Sequence, residues 1–282
     1  MKKKLIKSPM NYVGGKYKLL PQILPLFPRN IDTFVDLFCG GFNVGINVEA
    51  NRIIGNDLCK EVIEVYQGIQ NEGVENALKL VKGQVYKYEL SKTNEEGYKA
   101  IRNYYNTVDK SWYIFYAMLT HAFNYQIRFN KKGEYNMPFG RNRSHFNATL
   151  EKHFVEFSRQ IEDKNIIFTN KSFEDLNIDK LTDKDFVYLD PPYLITCASY
   201  NEQDGWNEDK EMKLLDLCDR LNKKGIKFAL SNVLEHKGKS NDILKEWSKK
   251  YNVNYLNYDY NNCNYQDNNK QYKTVEVLIT NY

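Results

Sequence analysis

Cysteine and histidine are scarce in this chain of 282 residues, which holds five of the first and four of the second. Cys39, Cys59, Cys197, Cys218 and Cys263 are odd in number, widely scattered and contain no CxxC pair. That pattern argues against a disulfide framework or a zinc site and leaves free thiols; no metal is expected. Long apolar runs are absent as well, and nothing approaches the roughly 20 residues that span a membrane. The basic start MKKKLIKSPMNYVGGK lacks the hydrophobic core of a signal peptide, so the expected location is cytoplasmic. Neither GxGxxG nor a Walker lysine pattern occurs, which disfavours a diphosphate or triphosphate cradle. Charge of one sign is not in large excess: 40 Lys+Arg stand against 36 Asp+Glu, a net of +4 that by itself names no polyanionic partner.

What is present is a series of short apolar runs, some of them ending in an acid or a glycine turn. TFVDLF (33–38) breaks at Cys39-Gly40-Gly41, and Val44, Ile46, Val48 and Ala50 then suggest a helix. RIIGND (52–57) follows as a second strand, with a helix through Val62, Ile63, Val65, Tyr66 and Ile69. A β-α-β-α opening of this kind implies a parallel sheet with helical crossovers, and its ligands bind beyond the carboxyl ends of the strands, where Asp36 and Asp57 lie. Further strands are expected at 166–170, 185–190 and 226–232, with a helix at about 209–223. TVEVLITN (274–281) should close the sheet as a half-exposed, antiparallel edge, and the Asn/Tyr-rich 251–273 reads as a loop. Between these, residues 72–160 are helical in pattern with no βαβ repeat, an inserted module that divides the sheet domain into 1–71 and 161–282.

Three constellations carry chemistry. The glycine turn at 33–41 lets a ligand approach the backbone closely, and such turns serve dinucleotides, nucleosides and S-adenosylmethionine alike. Asp57, ending the second strand, suits ribose hydroxyls; an isolated acid there is also a common turn former or helix cap. The third is DFVYLDPPYLI (185–195), in which two prolines stop the sheet ladder behind an aspartate and ahead of a tyrosine. Methylation of an exocyclic amine requires its lone pair to be drawn out of conjugation. The Asp190 carboxylate and the Pro191 carbonyl, rigidly presented by Pro191 and Pro192, could accept the two amine protons while Tyr193 stacks on the base. Alone, the tetrad is also compatible with a strand-ending turn; co-occurrence with the 33–41 turn favours the chemical reading. A basic, aromatic stretch, RFNKKGEYNMPFGRNR (128–143), suits phosphates and bases together, or a solvated loop.

With NYVGGKYKLLPQI, FVDLFCGG, GND, FNYQIRFN…MPFGR, DFVYLDPPYLIT, GIKFALSNVLEH and LKEWSKKYNV in this order, the chain resembles the Dam-type, D12-class N6-adenine DNA methyltransferases from about residue 8 onward, most of all the Dam enzymes of T-even phages. The resemblance implies a Rossmann-like methyltransferase sheet with an inserted helical target-recognition module. It implies S-adenosylmethionine as methyl donor and duplex DNA as partner, with no membrane, no obligate protein partner and a monomeric enzyme. Tyr12 and Lys16 match cofactor contacts, Asp36, Phe38 and Gly40 the methionine-binding turn, Asp57 the ribose acid and Phe173 an aromatic beside the cofactor adenine. Asp190, Pro191, Pro192 and Tyr193 match the catalytic tetrad. In the module, Asn124, Gln126, Arg128 and Asn130 fall on the DNA-reading segment and Pro138 and Arg141 on a loop that closes on DNA. Arg128 matches a guanine-reading arginine; Gln126 departs from the apolar residue usual at its position. GATC is the expected recognition sequence. A cytosine-N4 enzyme would more often carry Ser, and a protein-glutamine enzyme Asn, in place of Asp190. An RNA adenine methyltransferase, or an inactive DNA-binding module of the same fold, are the alternatives.

Overall fold

Ile31, Thr33, Phe34 and Val35 are the branched and aromatic residues that suit a pleated, buried surface. They form β1 (Ile31–Asp36), which follows a short helix α1 (Leu20–Ile23). The structure is a computed structural model and describes residues 4–196, 205–257 and 274–282. β1 pairs in parallel with β2 (Ala50–Asn56) and with β4 (Phe186–Leu189). β3 (Ile166–Thr169) lies outside β2 and β5 (Lys227–His236) outside β4, also parallel. A small strand β6 (Lys239–Ser240) folds back on β5. The sheet is completed by β7 (Asn252–Leu256) and β8 (Val275–Thr280) in the order β3-β2-β1-β4-β5-β8-β7, with β8 antiparallel to both neighbours. Strand order reverses between β1 and β4, the topological switch point at which such sheets bind ligands. This is the expected α/β sheet.

The helices between strands are α2 (Lys60–Lys87), α3 (Glu95–Thr107), α4 (Trp112–Leu119), α5 (Ala148–Asp163), α6 (Glu208–Lys223) and α7 (Asp242–Ser248). Four start on an asparagine whose side chain accepts a hydrogen bond from a backbone N–H in the first turn: Asn94 for α3, Asn147 for α5, Asn207 for α6 and Asn241 for α7. α2 breaks at Gly73, where φ is +73°.

Alternation along the strands separates two cores. Phe34, Phe186 and Tyr188 face one side with Val62, Tyr66 and Ile69 of α2, and this core runs on through Tyr98, Tyr105, Phe115 and Phe154 of the helical segment. Val35, Val187 and Leu189 face the other side with Leu214, Cys218 and Leu221 of α6. Cys39 and Cys218 are buried free thiols and Cys59 is a partly buried one, while Cys197 and Cys263 lie outside the described residues. No described helix is long and apolar enough to cross a membrane.

Two expectations fail here. No α-helix follows the 33–41 turn; a single helical turn, Gly45–Asn47, leads directly into β2. The apolar residues Val44, Ile46, Val48 and Ala50 recur every second position, the period of extended chain rather than of a helix. The last strand is also not an edge, since β8 lies between β5 and β7 and is buried over most of its length. The edge is β7, which occupies the first part of the stretch expected to be a loop. Residues 258–273 of that stretch lie outside the described residues.

Candidate active site at the strand ends

Asp36, the last residue of β1, is buried, and its Oδ2 accepts the Gly45 N–H at 3.0 Å. Burial pushes its carboxyl well above the usual aspartate range, against the pull of that N–H. Asp57, just past β2, is also buried and ties two elements together. Its Oδ2 accepts the Gly40 N–H at 2.7 Å and its Oδ1 the Cys59 N–H at 2.8 Å, so it ties the glycine turn to the residue that precedes α2. Burial raises Asp57 too, with those N–H groups opposing.

Gly40 has φ +44°, and a Cβ there would lie 2.8 Å from the Tyr12 ring. Only glycine lets the ring close on this turn. The Tyr66 hydroxyl donates to the Gly40 carbonyl at 2.7 Å from below. Phe38, Phe173 and Trp206 form an aromatic group on the other side, with ring centroids 5.5 to 5.9 Å apart.

One strand along, Asp190 follows β4. Its Oδ1 receives the Lys16 ammonium at 3.0 Å and the Tyr193 hydroxyl at 3.0 Å. No described residue donates to its Oδ2. The Lys16 Nζ also donates to the Gly14 carbonyl at 2.8 Å and lies 5.0 Å from the centre of the Tyr193 ring. Burial lifts the Asp190 carboxyl above its ordinary value, and Lys16 pulls it back down. Pro191 is buried and Pro192 half-buried.

Glu276 completes this group and was not anticipated from the sequence. It is 3% exposed, with its Oε1 3.7 Å from the Lys16 ammonium and accepting from the Tyr193 hydroxyl at 3.4 Å. Because β8 is antiparallel, it begins where the parallel strands end; Glu276 pairs with Val233 near the end of β5. The available signal was an acid inside the apolar run TVEVLITN. Trp206, the other residue missed, had none.

The segment expected to read DNA forms an irregular hairpin, with antiparallel bridges joining Ala122 to Phe139 and Phe129 to Tyr135. Arg128 donates from Nε to Asn136 Oδ1 at 2.7 Å and from Nη2 to the Asn136 carbonyl at 2.8 Å. Asn130 makes the turn, accepting the Lys132 and Glu134 N–H groups, and Arg141 pairs with Glu95. Asn124 adopts φ +53°; its carbonyl accepts from Asn11 at 3.3 Å and its Oδ1 from Arg143 at 3.2 Å. Gln126 is half-buried, its carbonyl accepting the Tyr135 hydroxyl, and Pro138 is exposed. The sheet-end residues thus lie together at the carboxyl ends of β1, β2 and β4. The hairpin residues lie apart from them, linked through the contact of Asn124 with Asn11, next to Tyr12.

Residues 12–262 match the model of the D12 class N6 adenine-specific DNA methyltransferases. The chain belongs to that family. This D12-class chain is 52% identical over 281 residues to the Type II methyltransferase M.FokI of Planomicrobium okeanokoites, which covers 98% of the chain and 43% of that protein. It is 48% identical over 286 residues to the modification methylase StsI of Streptococcus sanguinis, covering 99% and 43%. To the DNA adenine methylase of Salmonella typhi it is 26% identical over 235 residues, covering 79% of each. The chain spans less than half the length of the first two relatives. The expected nearness to the Dam enzymes of T-even phages gains no support, since the relatives about half identical to this D12-class chain are modification methylases.

Proposed function

We propose that the chain transfers a methyl group from S-adenosylmethionine to the exocyclic N6 of an adenine in duplex DNA. The observation that carries this reading is Asp190-Pro191-Pro192-Tyr193 at the end of β4, beside the buried acids Asp36 and Asp57 at the ends of β1 and β2. Family membership supports it.

The group at the strand ends fits the proposed cofactor. Asp36 lies close enough to Asp57 and Asp190 to be affected by both, and burial keeps all three carboxyls above their ordinary values, a setting that suits a cationic ligand. Asp57 would take the ribose hydroxyls, Phe38 and Phe173 the adenine face, and Tyr12 with Gly40 and Asp36 the methionine end. S-adenosylmethionine, when bound, supplies the electrophilic methyl carbon. The chain's own residues prepare the amine: Asp190 Oδ2 and the Pro191 carbonyl accept its two protons in hydrogen bonds, which draws the lone pair out of the ring. Lys16 and Tyr193, both on Oδ1, fix the carboxylate for that task.

A duplex adenine must leave the stack to reach this site, at about a few kcal/mol. The module at 72–160 provides the DNA contacts in this reading, with Asn124, Gln126, Arg128, Asn130, Pro138 and Arg141 along its hairpin. The hairpin base abuts the loop that carries Tyr12 and Lys16. GATC is the recognition sequence in this reading, with the Arg128 fork, which rests on Asn136, turning to a guanine edge when DNA binds.

Transfer of tritiated methyl groups to duplex DNA, single-stranded DNA and RNA tests the reading. Label in duplex DNA, recovered as N6-methyldeoxyadenosine, is expected. Label confined to RNA makes the chain an RNA methyltransferase, and DNA binding with no label on any substrate makes it a binding module.

A further inference from the structure

The proposed chemistry needs an aspartate with one oxygen held and the other presented, and the tetrad cannot arrange this alone. Asp190 follows a strand end, where no ladder bond fixes it, and its two fastening groups are themselves mobile by nature: a lysine on a flexible stem and a phenol that rotates about its C–O bond. What both fasteners share is Glu276. Its Oε1 faces the Lys16 ammonium at 3.7 Å and lies 3.4 Å from the Tyr193 hydroxyl, whose single proton it shares with the nearer Asp190 Oδ1. We propose that Glu276 is a positioning residue for methyl transfer: it shares Lys16 and Tyr193 with Asp190, so that both act on Asp190 Oδ1 and Oδ2 stays directed at the target amine. This inference rests on the function proposed above.

Placement in the fold makes the assignment specific. Leu189, the end of β4, is level with Leu230 and Ile279, so Glu276, opposite Val233, stands three residues beyond that level, on the side where the chain continues from β4 into Asp190. β8 is hydrogen-bonded on both sides, so the Glu276 backbone is held more firmly than a loop could hold it. The charge arrangement points the same way. With Asp190 as its only carboxylate, the Lys16 ammonium would lie wholly on Asp190 and lower its basicity; a second carboxylate divides that pull. The groups facing Asp190 are Lys16 from the N-terminal segment, Glu276 from β8, Tyr193 from its own turn, Tyr188 from β4 and Asp36 from β1. Glu276 acts on Asp190 in the sense opposite to Lys16.

The test is the Glu276→Gln variant, which keeps shape and hydrogen-bonding capacity and removes the charge. Single-turnover methyl transfer at saturating S-adenosylmethionine and DNA is expected to slow on the order of 10- to 100-fold, the scale of a misplaced reacting group. The KM for both ligands is expected to stay within about threefold. With the Glu276 charge gone, Lys16 holds Asp190 ionised to lower pH, so the acid limb of the rate profile should move down. A purely structural role would lower thermal stability and both affinities and leave that limb in place, which overturns the proposal, as does a wild-type rate. Should the Gln variant fail to fold, Glu276→Asp decides: it keeps the charge on a shorter arm and should show a slower rate with the limb unmoved. A wild-type rate in the Asp variant would overturn the proposal. No methyl transfer by the unsubstituted chain would overturn the proposed function and this inference together; an active chain with an indifferent Glu276 would overturn this inference alone.

Discussion

Asp190 holds two donors on one oxygen, so replacing it by alanine removes the amine acceptor and leaves Lys16 facing Glu276. Methyl transfer by Asp190→Ala is expected to fall at least about 10³-fold, within the range of a lost acid–base group, while DNA affinity in a gel-shift titration changes little. The pH dependence has a defined sign. Burial raises the folded-state value of Asp190, so activity should be lost as pH falls through a limb above the ordinary aspartate value of about 3.9. Below that limb the carboxyl carries its own proton and cannot accept those of the amine. A limb at or below the ordinary value, measured in single-turnover rates, would contradict the burial argument. At this scale the sequence was informative where a residue type is tied to a motif. Asp36, Asp57 and Asp190 announce themselves at strand ends and Tyr193 by the turn that follows β4; Glu276 and Trp206 belong to no motif and join the site only through the antiparallel placement of β8 and the packing of Phe38 and Phe173.

Among the elements, the glycine turn is the most sensitive to change. Gly40→Ala would place a methyl group 2.8 Å from Tyr12 on a backbone of φ +44°, and strain of about 1–3 kcal/mol is expected. Cofactor affinity, read by isothermal titration, should fall with it. The hairpin makes a separate prediction. Arg128 is held in one orientation by Asn136, and in the proposed function it reads a guanine edge when DNA binds. Arg128→Ala should then relax discrimination at one base pair by about 1–3 kcal/mol; equal loss on all sequences would make it a phosphate contact. Apolar periodicity located β1, β2, β3, β4, β5 and α6 from sequence because each strand is a short apolar run between polar residues or glycine. It failed between Val44 and Ala50, where a period of two was taken for a helix, and it could not rank β7 and β8, since edge position depends on pairing between distant segments.

For the molecule as a whole, contacts of Asp57, Tyr66 and Lys16 join α2, the sheet and the N-terminal segment at the strand ends, so a ligand bound there should stabilise them jointly. At a concentration one hundred times its dissociation constant, S-adenosylmethionine is expected to add about 2.7 kcal/mol, visible as a rise in melting temperature that Asp57→Ala diminishes. A compound that leaves the melting temperature unchanged does not occupy that site. The continuous core from the sheet into α3, α4 and α5 means that the hairpin is carried on packed helices next to the active site, which suits delivery of a flipped base. Long-read sequencing of DNA from cells expressing the chain measures the outcome most directly. Modified adenine at the N6 position in one recurring sequence context is expected, and its disappearance with Asp190→Ala. Unmodified adenine, or modification that persists in the Asp190→Ala cells, would contradict the proposed activity.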